Sequence, residues 1–63
     1  MVNTILRLPV VKNRTGLSRS SIYHQMSEGT FPNSISLSSR SIGWVEAEIN
    51  DWINGRIQLS RQK

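Results

Sequence analysis

The apolar positions between Gly16 and Gly29 predict a helix with one apolar and one polar side. Ile22 and Met26 stand four positions apart, which places them on the same helix face. Gly16 can adopt the left-handed backbone of a tight turn, and Gly29 is a residue that favours a helix end. We therefore predict a helix over about 19–28, entered through a glycine turn.

A shorter pattern precedes this helix. Ile5–Leu8 alternates weakly between apolar and other residues, as either a short strand or an extended lead-in would. Pro9 fits the first turn of a helix, where its missing amide hydrogen is not needed. The pattern predicts a first helix from about Pro9 to Arg14 or Thr15. So short a helix depends on the packing of Val11 and its neighbours rather than on its own propensity.

The segment after Gly29 predicts a β-hairpin. Residues 34–37 alternate polar and apolar, which indicates a half-buried strand with Ile35 and Leu37 on its inner face. A polar turn over 38–41 follows, and Ile42, Gly43 and Trp44 can return as the partner strand. The hairpin would form a wing with an arginine at its tip.

The clearest helical stripe is near the C-terminal end. Its apolar residues fall at i, i+4, i+7 and i+8 and are Val45, Ile49, Trp52 and Ile53. Asn54–Gly55 is a natural helix end, so the helix is expected to stop there. The remaining residues, 56–63, are polar and basic without a clear period, and we predict a tail.

These elements predict a small α+β fold, a winged helix-turn-helix made of a helix, a turn, a recognition helix, a two-stranded wing and a C-terminal helix. The 63 residues are expected to form a single domain over 1–63, with an ordered core at about 5–55. A chain of this size buries only about 60% of its unfolded surface. The predicted core consists of Leu6, Leu8, Val11, Leu17, Ile22, Met26, Phe31, Ile35, Leu37, Ile42, Trp44, Ile49, Trp52 and Ile53.

The charges are distributed unevenly along the chain. The formal net charge is +4, and no acidic residue precedes Glu28. Three of the four acidic residues lie close together over 46–51. A basic first half of this kind is what a nucleic-acid-binding protein needs, although many small soluble proteins are also basic.

Other features of the composition exclude several classes of protein. There is no cysteine, which excludes disulfides and thiolate metal sites. No segment reaches the roughly 20 apolar residues that a membrane-spanning helix needs. Arg7 interrupts the apolar start, and no cleavage pattern for a signal peptide follows. A cytoplasmic protein that does not contact membranes is the expectation.

The chain resembles the AlpA-type prophage regulatory proteins, which are small winged-helix proteins related to phage excisionases and, more distantly, to the DNA-binding end of MerR-type regulators. The motifs that carry the resemblance are Arg7-Leu8-Pro9 with Val11, Thr15 to Tyr23, Glu28 to Pro32, Leu37, Arg40, Ile42-Gly43-Trp44, Glu48-Ile49 and Trp52-Ile53. They span about Leu6 to Gly55.

The resemblance implies a DNA-binding transcriptional regulator of an integrated element. Such proteins act on integrase or excision functions, and relatives serve as recombination directionality factors. The DNA-reading helix of the family falls on 18–27 and its wing on 38–41. Two departures are present: Ser38-Ser39 stand where the family usually has glycines, and His24 stands where a basic residue is common.

The candidate DNA-binding residues lie on the predicted recognition helix, at the end of the helix before it and in the wing. They are Lys12, Arg14, Ser18, Arg19, Ser20, Ser21, Tyr23, His24, Ser27, Ser39 and Arg40. Lys12 and Arg14 would meet the DNA backbone. Arg40 would enter a minor groove or touch a phosphate, and the alternative is a charged turn residue that keeps the hairpin edge soluble.

Arg19 would contact a guanine edge in two places or bind a phosphate, and the alternative is a solvated surface arginine. Ser18 has a second explanation, because a helix N-cap would also favour serine there. Tyr23 has two possible roles. Its hydroxyl contacts a phosphate, or the residue serves only to pack its ring at the edge of the core. His24 contacts DNA or is simply exposed; as the only histidine, it is not expected to form a metal site.

The expected partner is double-stranded DNA, bound by a monomer or by a cooperative assembly, with an integrase or another transcription regulator as a further partner. A different class of function is a small adaptor or inhibitor that acts mainly by binding a protein. No catalytic residue, cofactor or enzymatic activity is expected, because no motif of catalytic spacing is present.

Overall fold

A computed structural model describes residues 3–62 of the chain, which form three helices and a three-stranded antiparallel sheet. The elements in order are β1 (Ile5–Leu6), α1 (Leu8–Thr15), α2 (Arg19–Glu28), β2 (Ile35–Ser38), β3 (Ser41–Val45) and α3 (Glu46–Arg61). The predicted small α+β winged helix-turn-helix is confirmed. Helix α2 has the predicted bounds, and α1 begins one residue earlier than predicted.

The sheet has the order β1-β3-β2, so β3 is the central strand. The extended lead-in is a true strand, because Ile5 pairs with Val45 and Leu6 with Trp44. Strands β2 and β3 form the predicted hairpin. The two-stranded wing is therefore one edge of a three-stranded sheet.

The core lies between the sheet and the three helices. Its buried members come from five elements and one loop and are Leu6, Val11, Ile22, Phe31, Trp44 and Ile49. Leu8, Leu17, Met26, Ile42, Trp52 and Ile53 pack around them and remain half-buried. Both groups were in the predicted core.

Two tryptophan side chains fix the loop that leaves α2. The indole Nε1 of Trp52 donates a hydrogen bond to the carbonyl oxygen of Thr30 at 2.8 Å, and that of Trp44 donates to Pro32 at 3.1 Å. Between these carbonyls, Phe31 is buried and meets the Trp52 ring edge-to-face, with 4.9 Å between ring centroids. The loop is thus held to α3 and to the sheet.

The predicted C-terminal end of the last helix is wrong. Helix α3 continues through Asn54 and Gly55 to Arg61, so residues 56–61 are helical rather than a tail. A single glycine with an ordinary backbone costs a helix only about 1 kcal/mol, and no proline follows to end it. Arg61 in the last turn also interacts favourably with the helix dipole. Residue 63, at the end of the predicted tail, lies outside the described residues.

The prediction that Ile35 and Leu37 belong to the core is also wrong. They are 39% and 42% exposed. Ile35 lies opposite Gly43, the residue before the buried Trp44, so Ile35 is on the other side of the sheet from the core. Alternation along a strand identifies two faces but does not determine which one meets the helices.

We expect Trp44→Phe to lower the free energy of unfolding by about 2–4 kcal/mol, because it leaves a gap in the core and removes the donor to the Pro32 carbonyl in a partly buried hydrogen bond. Trp52→Phe is the matched control. Its partner carbonyl is more accessible to water, so a loss of about 1 kcal/mol is expected. Urea unfolding followed by circular dichroism measures both, and equal losses would contradict this ranking.

We expect Gly55→Ala to raise the free energy of unfolding by about 0.5–1 kcal/mol, because alanine is the better helix former. No atom lies within 4 Å of a Cβ built at this position, so the methyl group meets no obstacle. Gly29→Ala is the control, and it should lower the free energy of unfolding. Gly29 has a φ of 78°, a backbone conformation in which alanine is strained. Thermal unfolding of dilute protein measures both. A fall in melting temperature for Gly55→Ala would contradict the expectation.

Candidate nucleic-acid interface

The turn between α1 and α2 depends on a left-handed glycine. Gly16 has a φ of 73°, and its amide donates to the carbonyl of Lys12 at 2.8 Å, which closes the end of α1. The hydroxyl of Thr15 donates to the Val11 carbonyl at 2.7 Å and accepts from the amide of Leu17 at 3.3 Å. This local network sets the direction in which α2 leaves the turn.

Ser18 caps α2 as the sequence predicts. Its side-chain oxygen accepts from the amide of Ser21 at 3.2 Å, and its hydroxyl also lies 3.0 Å from that of Ser21. Both hydroxyl groups are therefore engaged with each other. Ser18 is exposed and Ser21 is half-buried, which leaves Ser18 the more accessible of the two.

Five of the candidate residues form one continuous exposed surface on α2, which we call the α2 face. They are Arg19, Ser20, Tyr23, His24 and Ser27. At about 100° per residue they cover about 140° around the helix axis. Ile22, on the opposite side, is fully buried. The helix therefore exposes hydrogen-bond donors and acceptors to solvent, while its apolar side is held in the core.

Arg19 and Tyr23 contact each other on the α2 face. The guanidinium carbon of Arg19 lies 5.4 Å from the centre of the Tyr23 ring, within the range of a cation–π contact. Tyr23 is 36% exposed. The ring supports the guanidinium group from one side, so that its N–H groups are held in a limited range of directions.

Farther along α2, His24 and Ser27 also have partners within the helix. The Nε2 atom of His24 lies 3.3 Å from a carboxylate oxygen of Glu28, and both side chains are largely exposed. The Ser27 hydroxyl donates to the backbone carbonyl of His24 at 2.6 Å. Glu28 thus places the one negative charge of α2 next to the imidazole.

The two basic residues at the end of α1 differ in their surroundings. Lys12 is exposed. Arg14 lies with one guanidinium nitrogen 3.0 Å from a carboxylate oxygen of Glu46, at the start of α3. Exposed pairs of this kind contribute less than about 1 kcal/mol, so a phosphate can compete for the arginine.

Ser39 and Arg40 form the two-residue turn of the hairpin, and both are exposed. The strands join with an irregularity between Ser36 and Ser38, where the Ser36 hydroxyl donates to the carbonyl of Ser38 at 3.0 Å. Arg40 therefore projects from the end of the sheet, on a turn that contains no glycine.

Sequence reasoning missed the acidic partners of two candidate residues. Glu28 could have been found, since it lies four positions after His24 on the same helix. Glu46 could not, because it is 32 positions from Arg14 and only the fold brings them together. Among residues 3–62, no group of three or more His, Asp and Glu side chains is placed to hold a metal ion.

Comparison with known proteins identifies the family. A family model described as "Prophage CP4-57 regulatory protein (AlpA)" matches residues 4–57. The chain belongs to the AlpA family. Every candidate residue of the α2 face, the α1 end and the hairpin turn lies within the range that matches the AlpA model.

Two relatives support this membership of the AlpA family. The chain is 41% identical over 61 residues to the "DNA-binding transcriptional activator AlpA" of Escherichia coli strain K12, covering 87% of each protein. It is 42% identical over 52 residues to the "Uncharacterized protein ORF88" of Enterobacteria phage P4, covering 82% of this chain and 59% of that protein. In the described part of the chain, no helix is both long and apolar enough to cross a membrane.

We expect Ser18→Ala to lower the free energy of unfolding by about 1 kcal/mol, because the first turn of α2 loses its cap. Ser18→Asn should retain most of the stability, since asparagine caps helices equally well. Urea unfolding of the two variants tests this. Equal stability of wild type and Ser18→Ala would contradict a capping role for Ser18.

Proposed function

We propose that this AlpA-family chain is a sequence-selective DNA-binding regulator of transcription, and that it regulates genes of a prophage or another integrated element. The observation that carries the proposal is the α2 face: donors and acceptors on a helix whose opposite side is fixed in the core. The relative from Escherichia coli, a "DNA-binding transcriptional activator AlpA", supports the same class of function.

The charge distribution supports the assignment of this face. Residues 1–45 contain five basic residues and a single acidic one, Glu28. Two of these basic residues, Lys12 and Arg14, lie in the last turn of α1, next to the turn that leads into α2. Phosphates that approach the first turn of α2 therefore meet cationic side chains first.

The roles follow from the side-chain chemistry. Arg19 would contact a guanine edge through two N–H groups, since a cation–π contact with Tyr23 involves one face of the guanidinium group and leaves its in-plane N–H groups able to donate. Ser20, Tyr23, His24 and Ser27 would contact the adjoining bases and phosphates. Lys12, Arg14, Ser39 and Arg40 would bind the backbone or a groove edge, and Ser18 and Ser21 would contribute mainly as the helix cap.

The preferred targets under this proposal lie near the integrase or excision genes of the element that encodes the chain. A role as a recombination directionality factor would use the same α2 face together with a bound integrase. A single module of this size buries only about 600–1,000 Å² of protein surface on DNA. A second copy or a partner protein would therefore raise the affinity for DNA.

We expect wild-type protein to prefer one DNA sequence, and Arg19→Ala to reduce that preference by about five- to 150-fold, because a two-point contact to guanine is lost. Fluorescence anisotropy with a sequence selected from a random library and with its shuffled form measures the preference. Over a salt series, log K should fall against log salt with a slope of about −3 to −5, as expected for about four phosphate contacts.

Lys12→Ala is the matched control, because it removes the same charge from an expected backbone contact. It should weaken binding to both DNAs equally and reduce the magnitude of the salt slope by about 1. Equal binding of wild type to both DNAs, or an unchanged preference in Arg19→Ala, would contradict the proposal and favour a protein-binding adaptor.

A further inference from the structure

Helix α3 carries opposite charges in its two halves. Glu46, Glu48 and Asp51 lie in the first half, and Arg56 and Arg61 lie in the second. Charges in the first and last turns stabilise the helix dipole, but this effect falls off within one turn. Asp51 and Arg56 lie farther inside the helix, so the dipole does not explain their placement. Within one copy Arg56 has a cation–π contact, because its guanidinium carbon lies 5.7 Å from the centre of the Trp52 ring. Asp51 has no ion-pair partner among the side chains of residues 3–62.

The second half of α3 extends beyond the part that packs on the core. Ile49, Trp52 and Ile53 belong to the core or its margin, whereas every residue from 54 to 61 is exposed. Ile57 is 42% exposed and Leu59 is 62% exposed. The last two turns thus present apolar side chains beside arginines, which is a typical composition of a surface that another protein covers.

An open groove with the complementary composition lies beside the first half of α3. It has a volume of about 450 Å³ and is lined by Pro32, Asn33, Ser34, Ile35, Glu48 and Asp51. Glu48 and Asp51 form no ion pair with any side chain of residues 3–62. An adjacent hollow of about 400 Å³ shares these two carboxylates and reaches Trp52.

Gly55 lies between the two halves, on the helix stripe that also contains Asp51 and Leu59 at four residues to either side. Its backbone is ordinary helix, and nothing lies within 4 Å of where a Cβ would be. The fold of one copy therefore provides no reason for glycine here. A glycine at this point allows a second helix to approach closely.

From these observations we propose that the chain associates with a second copy of itself through an antiparallel, two-fold symmetric pairing of α3 helices centred near Gly55. In this arrangement Leu59 of each copy lies opposite Asp51 and close to Trp52 of the other. Each basic half meets the acidic groove of the other copy. A parallel pairing would place like charges opposite each other.

Two-fold symmetry satisfies both complementary contacts at once, and it is the commonest arrangement of protein dimers. A head-to-tail interface would instead leave one acidic groove and one basic helix end unoccupied in every pair. Further copies would then add to these free ends and form an open polymer. For DNA, a consequence that rests on the proposed function is that two α2 faces related by a two-fold axis read an inverted repeat.

The experiment compares three proteins by sedimentation equilibrium without DNA, up to millimolar concentration: wild type, Glu48→Lys/Asp51→Lys and Arg56→Glu/Arg61→Glu. Wild type should approach twice the monomer mass, and its association should weaken as salt is added. Each variant alone should remain a monomer, because the two halves of α3 then carry net charges of the same sign. The two variants mixed in equal amounts should regain a mass of two copies.

The matched control is Arg7→Glu/Arg40→Glu, which reverses two exposed arginines outside α3 and should associate as wild type does. Circular dichroism confirms that every variant is folded, and Leu59→Ser provides a variant without a charge change that should also weaken association. A wild type that stays monomeric, masses that rise beyond two copies, or a mixture that fails to associate would overturn the proposal. Since no DNA is present, this outcome is independent of the test of DNA binding.

Discussion

The two indole hydrogen bonds around Phe31 are the constraint on which the arrangement of α2 depends. Trp52 holds the carbonyl of Thr30, and Trp44 holds that of Pro32, so the chain just after α2 is attached to α3 and to the sheet at once. A chain of 63 residues has little apolar surface to bury, and each fixed contact is therefore a large share of its stability. Without these bonds, α2 would be attached to the sheet by core packing alone.

Both ends of α2 are fixed by local hydrogen bonds and turns. Gly16 turns the chain, Ser18 caps the helix and Gly29 closes it with a left-handed backbone. Each device satisfies a backbone group that would otherwise lack a partner at a helix end. Short-range hydrogen bonds thus define where α2 begins and ends, whereas the tryptophan contacts attach it to the rest of the molecule.

The molecule separates its charges between two surfaces. The elements before α3 are strongly basic, whereas α3 carries three of the four acidic residues and balances them with its own arginines. In the proposed function the basic surface meets DNA, and in the further inference α3 meets a second copy. The interaction between Arg14 and Glu46 links the two surfaces, because it joins the end of α1 to the start of α3.

The sequence by itself determined the elements whose signals are local: the bounds of α2, its cap at Ser18, its glycine ends and the resemblance to the AlpA family. Periodicity also identified most of the core, because burial follows the helical stripe of each element. The tertiary structure alone decided that Ile35 and Leu37 face outward, since strand alternation is symmetric between two faces until a partner strand fixes one. It also decided that α3 continues past Gly55, because a helix-end signal is weak, and its cost of about 1 kcal/mol is outweighed once the preceding turns are packed on the core.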